Sequence, residues 1–176
     1  MKEFVVTLIC EDRPGLVELV SETIAQNQGS WDESSMARLS GMFAGILHVH
    51  VSDEHAQALQ ENLKALEQQG ITLVVSDATQ AADQPDADGS VLLRLSLTGH
   101  DKPGIVQHIS SVLSEHGVNV ERLDTQLSSS SMSGAPLFTA DALLRAPAGL
   151  DLGDLQATVE DQASDLMVDI ELESAE

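Results

Sequence analysis

The sequence predicts an α/β (α+β) fold written twice: two βαββαβ units in tandem, each an antiparallel sheet with both helices on one face. Three observations predict it. The run Cys10-Glu11-Asp12-Arg13-Pro14-Gly15-Leu16-Val17 returns 89 residues later as Gly99-His100-Asp101-Lys102-Pro103-Gly104-Ile105-Val106. At the same offset, Leu16, Val20 and Ile24 return as Ile105, Ile109 and Leu113, an apolar stripe along one helix face. Between the copies, 77–89 is rich in Ala, Asp, Gln and Pro without apolar periodicity, which marks a linker. The expected divisions are 1–77, a linker at 78–89, and 90–176.

The elements follow in order. Strand-like runs, Phe4–Ile9 and Val91–Thr98, precede the two motifs. Each first helix is followed by a glycine, Gly29 or Gly117, a common stop in the left-handed conformation. Ala44–Val51 and Leu137–Leu144 read as strands. Leu59 and Leu63, with Leu66 beyond, mark a second helix in the first copy; Leu155 and Val159 do so in the second. The offset there has grown, and the longer connection Ser128–Gly134 takes the excess. Ile71–Ser76 and Met167–Leu172 close the units as strands. This is the ferredoxin-like arrangement, and right-handed crossovers place both helices on one sheet face. Leu47, Val49 and Val51 then point at the helices, with Ile46, His48 and His50 opposite. A unit of about 80 residues has a thin core, which favours edge-to-edge pairing of the copies and a homodimer.

Composition bounds the function. Eight Lys and Arg against 29 Asp and Glu give a formal charge of −21. Nucleic-acid binding begins with basic patches that release counterions, so direct contact with DNA is not expected, nor is an anionic membrane. Aromatics make up 2% of the chain, leaving no stacking platform for single strands. Cys10 is the only cysteine and has no partner for a disulfide. The start, Met1-Lys2-Glu3, lacks a basic region followed by a long apolar one, and the chain reads as cytoplasmic.

Function is sought in the duplicated Asp-X-Pro-Gly loops. Proline at or near the first helical turn loses no hydrogen bond, and glycine beside it lets a ligand approach the backbone. The amides of Gly15, Leu16 and Val17, and of Gly104, Ile105 and Val106, are unpaired donors at helix N-termini, where carboxylates or phosphates bind. Asp12 and Asp101 either cap the helix or hold an ammonium group. An anion site beside an acid suits an amino-acid zwitterion; a plain turn is the competing reading. His48 and His50 share a strand face but lack the further ligands of a metal site. His100 adjoins Asp101 as a candidate ligand contact, and His108 and His116 are expected in solvent. Ser128–Ser133 reads as a mobile loop, and Cys10 as a packed thiol. There is no phosphate-binding Gly-rich fingerprint, metalloprotease helix or nucleophile elbow, so no catalytic role, cofactor or metal is expected.

The succession of strand, Asp-Arg-Pro-Gly-Leu-Val and helix resembles the ACT domain. Two copies filling the chain, with Gly29–Leu39 followed by Phe43-Ala44-Gly45, resemble the glycine cleavage system transcriptional repressor family. The resemblance covers about residues 3–76 and 91–173. It implies a small amino acid, glycine or serine, bound at Asp101, Lys102, Gly104, Ile105, Val106 and Asn119, with Asp12, Arg13, Gly15 and Leu16 as the first-copy counterparts. It sets Trp31 at the place of Asn119, so the second copy is the favoured binder. It also implies control of glycine cleavage genes. With this charge, such control is expected through a protein partner, such as a DNA-binding activator. The alternative is a ligand-free interaction module acting as a regulatory subunit of an enzyme complex.

Overall fold

The computed structural model describes residues 1–78, 89–129 and 136–175. The chain divides into two compact units, Met1–Asp83 and Gln84–Glu176. The first contains β1 (Lys2–Glu11), α1 (Leu16–Gln26), β2 (Ser30–Leu39), β3 (Met42–Val51), α2 (Asp53–Ala65) with a 3-10 turn at Leu66–Gln69, and β4 (Thr72–Asp77). The second contains β5 (Val91–His100), α3 (Ile105–Glu115), β6 (Asn119–Ser129), β7 (Pro136–Ala146), α4 (Leu152–Leu166) and β8 (Val168–Ser174). Strand orders are β2-β3-β1-β4 and β6-β7-β5-β8, with antiparallel neighbours throughout. The two βαββαβ units read from the sequence are therefore present. Most of 78–89, the expected linker, lies outside the described residues.

Each core is the meeting of one sheet face with two helix stripes. In β1, Phe4, Val6, Leu8 and Cys10 are buried and alternate with half-buried or exposed neighbours. Leu47, Val49 and Val51 of β3 join them, as expected, under Leu16, Val20 and Ile24 of α1 and Ala56, Leu59 and Leu63 of α2. The second core repeats this with Leu93, Leu95 and Leu97 of β5 against Ile105, Ile109 and Leu113 of α3 and Leu155 and Val159 of α4. No helix among the described residues is long and apolar enough to cross a membrane.

The ends of the first helices correct the sequence reading by one residue. Gln28, at φ 57°, is the left-handed residue after α1, and Gly117, at φ 68°, is its counterpart after α3. In α1 the amide of Gln28 donates to Ala25 O and that of Gly29 to Ile24 O; in α3 those of Gly117 and Val118 donate to Ser114 O and Leu113 O. Both are Schellman closures, so Gly29 matches Val118. Gly29 answers a different need: a Cβ there would come within 3.0 Å of the Ile24 side chain. Buried Asn27 closes this corner, donating to Thr23 O and accepting from Asn62 of α2.

The hairpins differ. Ser40 and Gly41 join β2 to β3 with φ of 50° and 82°, the pair a two-residue turn of type I′ requires. In the second unit Ser128 and Ser129 belong to β6, and the rest of the expected loop lies outside the described residues. The last strand starts at Val168, because Met167 is a left-handed helix cap at φ 57°.

Leu59 has 0% exposure in the first core. Leu59→Ala is expected to cost the first unit about 2–5 kcal/mol, read as a lowered urea midpoint.

Candidate functional site

The duplicated loops are built alike. Gly15 lies at φ 88°, ψ 1° and Gly104 at φ 93°, ψ −1°. That is the conformation of the third residue of a type II turn, whose second residue is the proline. The prolines thus precede the helices rather than opening their first turns, and the glycines are the N-caps. Each loop is also tied to its own hairpin: the amide of Asp12 donates to Gly41 O at 2.9 Å, and that of Asp101 to Pro136 O at 3.1 Å.

A glycine at the N-cap leaves the first-turn amides of α1 and α3 without a side-chain acceptor. Of the two roles expected for Asp12 and Asp101, a helix cap or a hold on an ammonium group, the cap is not formed. A capping carboxylate usually belongs to the N-cap residue itself, and both acids lie three residues before the N-cap glycines. Asp12 instead pairs with Arg38 Nε at 2.5 Å. Asp101 has no side-chain partner among the described residues. The motif cations are turned inward: Arg13 Nη2 donates to Gln69 O at 2.6 Å, and Lys102 Nζ to Leu166 O at 3.3 Å. Each closes the C-terminal end of the second helical segment of its unit, where positive charge is favoured. The sequence reading gave neither residue this task.

Strand register settles the first-copy counterpart of Asn119. Val120 pairs with Leu144 as Trp31 pairs with Val49, and Asn119 pairs with Arg145 as Ser30 pairs with His50. Ser30, not Trp31, therefore matches Asn119. Equating Gly29 with Gly117 displaced the comparison by one. Nor does one unit bring Asn119 to the loop. The loop precedes α3 and Asn119 follows it, roughly 16 Å apart along an 11-residue helix.

Beside this position the structure reveals a feature the sequence reading missed. A register shift sets Asp32 and Glu121 out of the ladder at matching places. Asp32 holds His50 Nδ1 at 2.7 Å, and Glu121 holds Arg145 Nε. Arg145 also donates to Ser90 Oγ. An acid recurring at the shared offset of 89 was the available signal. His48 stands between Glu3 and Asp32, 3.6 Å and 3.5 Å away. Among the described residues no group of three or more His, Cys, Asp or Glu has the geometry of a metal site.

His100 is exposed at the end of β5. His108 and His116 are not simply solvated. His108 Nδ1 lies 2.7 Å from Gly104 O, and His116 Nδ1 lies 2.9 Å from Val112 O with Asp154 near its other nitrogen. Cys10 is buried, and burial raises its thiol pKa above the ordinary value, opposed by Arg13 and reinforced by Asp12. A raised pKa leaves less thiolate at neutral pH, so alkylation of the native protein at pH 7–8 should be much slower than that of the urea-unfolded chain. Gly104→Ala forces a methyl into a left-handed position, 3.1 Å from His108 Nδ1. It should lower the stability of the second unit by about 1–2 kcal/mol in denaturant titrations.

Comparisons with known proteins fit this architecture. No curated protein matches the chain in sequence. A crystal structure of an unknown protein from Galdieria sulphuraria superposes with a TM-score of 0.87 at 26% identity, over 99% of each chain. A protein provisionally assigned as a glycine cleavage system transcriptional repressor superposes with a TM-score of 0.74 at 18% identity, over 99% of this chain and 98% of that one, a likeness of fold. The family model of the ACT domain matches residues 2–76 and again 92–173. With both units matched almost end to end, the chain belongs to the ACT-domain family, as a tandem of two such domains.

Proposed function

We propose that this chain is a non-enzymatic regulator that binds a small amino acid through its second ACT unit and acts on transcription through a protein partner. The observation that carries the reading is the state of the Asp101 loop. Its helix offers first-turn amides without a side-chain acceptor, beside a carboxylate with no side-chain partner among the described residues. Those two features receive the two charges of a zwitterion. In the first unit Arg38 already holds the matching carboxylate.

Glycine and serine are the first ligands to try, on the likeness in fold to the glycine cleavage repressor. Asn119 follows the end of α3 opposite the Asp101 loop and does not reach that loop within one unit. Its part requires a homodimer that brings β6 of one chain to the loop of another. Cations available for phosphate are few. Of eight Lys and Arg, Arg13, Arg38, Lys102, Arg122 and Arg145 are engaged within their own unit. That supports a protein partner, such as a DNA-binding activator, over direct contact with DNA.

Isothermal titration calorimetry against individual amino acids tests the reading. Saturable heat is expected with one of them. Asp101→Ala should abolish it while leaving the melting temperature close to that of the parent, since that carboxylate holds nothing in the fold; Asn119→Ala should weaken it if a dimer completes the site. Heat with no amino acid would favour the ligand-free interaction module, a regulatory subunit for which the first unit, with its loop carboxylate held, is the pattern.

A further inference from the structure

The two units are similar in backbone but not in how they fill the space between the first helix and the edge strand. In the first unit Trp31 and Met36 of β2 pack onto the core, and Met36 lies so close over Gly45 that a Cβ there would meet it at 2.5 Å. Register identifies their counterparts: Val120 stands for Trp31, Thr125 for Met36, and Ala142 for Leu47. Each exchange removes volume. Ala140 for Gly45 and Leu123 for Ser34 return only part of it, and Leu123 is 46% exposed, at the rim rather than in the gap.

What remains is an apolar hollow of about 40 Å³ between α3 and the sheet, bounded by Ile109, Leu113, Val120, Leu123, Ala140 and Ala142. Ser110 supplies the one hydroxyl among the lining side chains outside the chain's backbone. Val106 and Val120, 42% and 38% exposed, leave its mouth open. A cavity needs roughly 10–15 Å³ to admit one water-sized group, so the hollow takes on the order of three such groups, but it lacks the polar partners that hold water. An isopropyl or isobutyl group fits both its size and its chemistry. Ile105 and Val106 also line it, and their amides belong to the uncapped first turn of α3.

We infer that this hollow is the side-chain subsite of the second unit, and that the ligand is an amino acid with a short branched aliphatic side chain. The inference rests on the proposed amino-acid sensing and sharpens its ligand: glycine and serine leave the hollow unfilled. The carboxylate meets the first-turn amides and the side chain enters the hollow. In the first unit Trp31 and Met36 pack onto the core at the corresponding place.

The test follows the methyl NMR signals of Ile109, Leu113, Val120 and Leu123 in the full chain during titration with valine, leucine, glycine, serine and 3-methylbutan-1-ol. Valine or leucine should move these methyls saturably and bind on the order of tenfold or more tighter than glycine. Val120→Trp, which installs the residue of the first unit, should remove both effects; Ala142→Leu, which fills the gap from the sheet side, is the second variant should the first fail to fold. Glycine or serine binding as tightly as valine, with the methyls unmoved, overturns the subsite and leaves amino-acid sensing intact. Methyls moved by the alcohol alone sink the sensing reading instead, and with it the assignment of the hollow to an amino-acid side chain. Methyl shifts that follow protein concentration and no added compound overturn the subsite, because a second copy then covers it.

Discussion

Both units depend on a backbone reversal that only glycine makes without strain. At Gly15 and Gly104 the chain leaves an inner strand of its sheet and enters a helix through a left-handed residue. The proline before it fixes the approach, and the direction of the turn lays the apolar stripe of α1 or α3 onto the buried face of β1 or β5. Everything else in the unit is positioned from there. The same reversal leaves the helix with a cap that has no side chain, and therefore with amides unclaimed by the fold. A structural requirement and the proposed binding surface are thus one piece of geometry.

Around that reversal, polar side chains act mainly as ties between elements. Arg13 and Lys102 reach from the loop to the end of the second helical segment, a link that differs in chemistry between the copies but not in target. The bulge acids Asp32 and Glu121 grip His50 and Arg145 across the edge of the sheet. Most of these groups are partly exposed, so each pair contributes little stability by itself. The apolar cores carry the fold, while the ties set where loops and edges sit. Engaging five of eight cations in this way also leaves an outer surface dominated by acids.

The two copies share the helix stripes of their cores and differ where the edge strand and its neighbour meet them, as in Ala142 for Leu47. Leu16, Val20 and Ile24 are answered position by position in the second core, because a helix stripe facing a sheet tolerates only aliphatic exchange. Edge-strand positions over the same core, being half exposed, are under no such restriction. There Trp31 and Met36 correspond to Val120 and Thr125. The result is one unit whose edge strand packs Trp31 and Met36 onto the core and one that keeps an apolar hollow.

The sequence by itself determined the unit, its duplication and its buried faces. Those depend on period and repetition: alternation in strands, four-residue spacing in helices, and one motif at a fixed offset. It also located the loops whose amides are free, since Pro-Gly before an apolar stripe has few other conformations. Only the tertiary structure decided how the copies correspond beyond the helix. Gly29 and Gly117 look equivalent in the sequence, yet left-handed geometry can be taken by Gln28, and strand pairing then sets Ser30 against Asn119. It likewise decided the partners of the charged groups. Arg13 meets Gln69 and Asp12 meets Arg38 because the chain folds back on itself, and no local pattern encodes such distances. The hollow belongs to the same class: a gap between α3 and β6 exists only once helix, strand and sheet are packed.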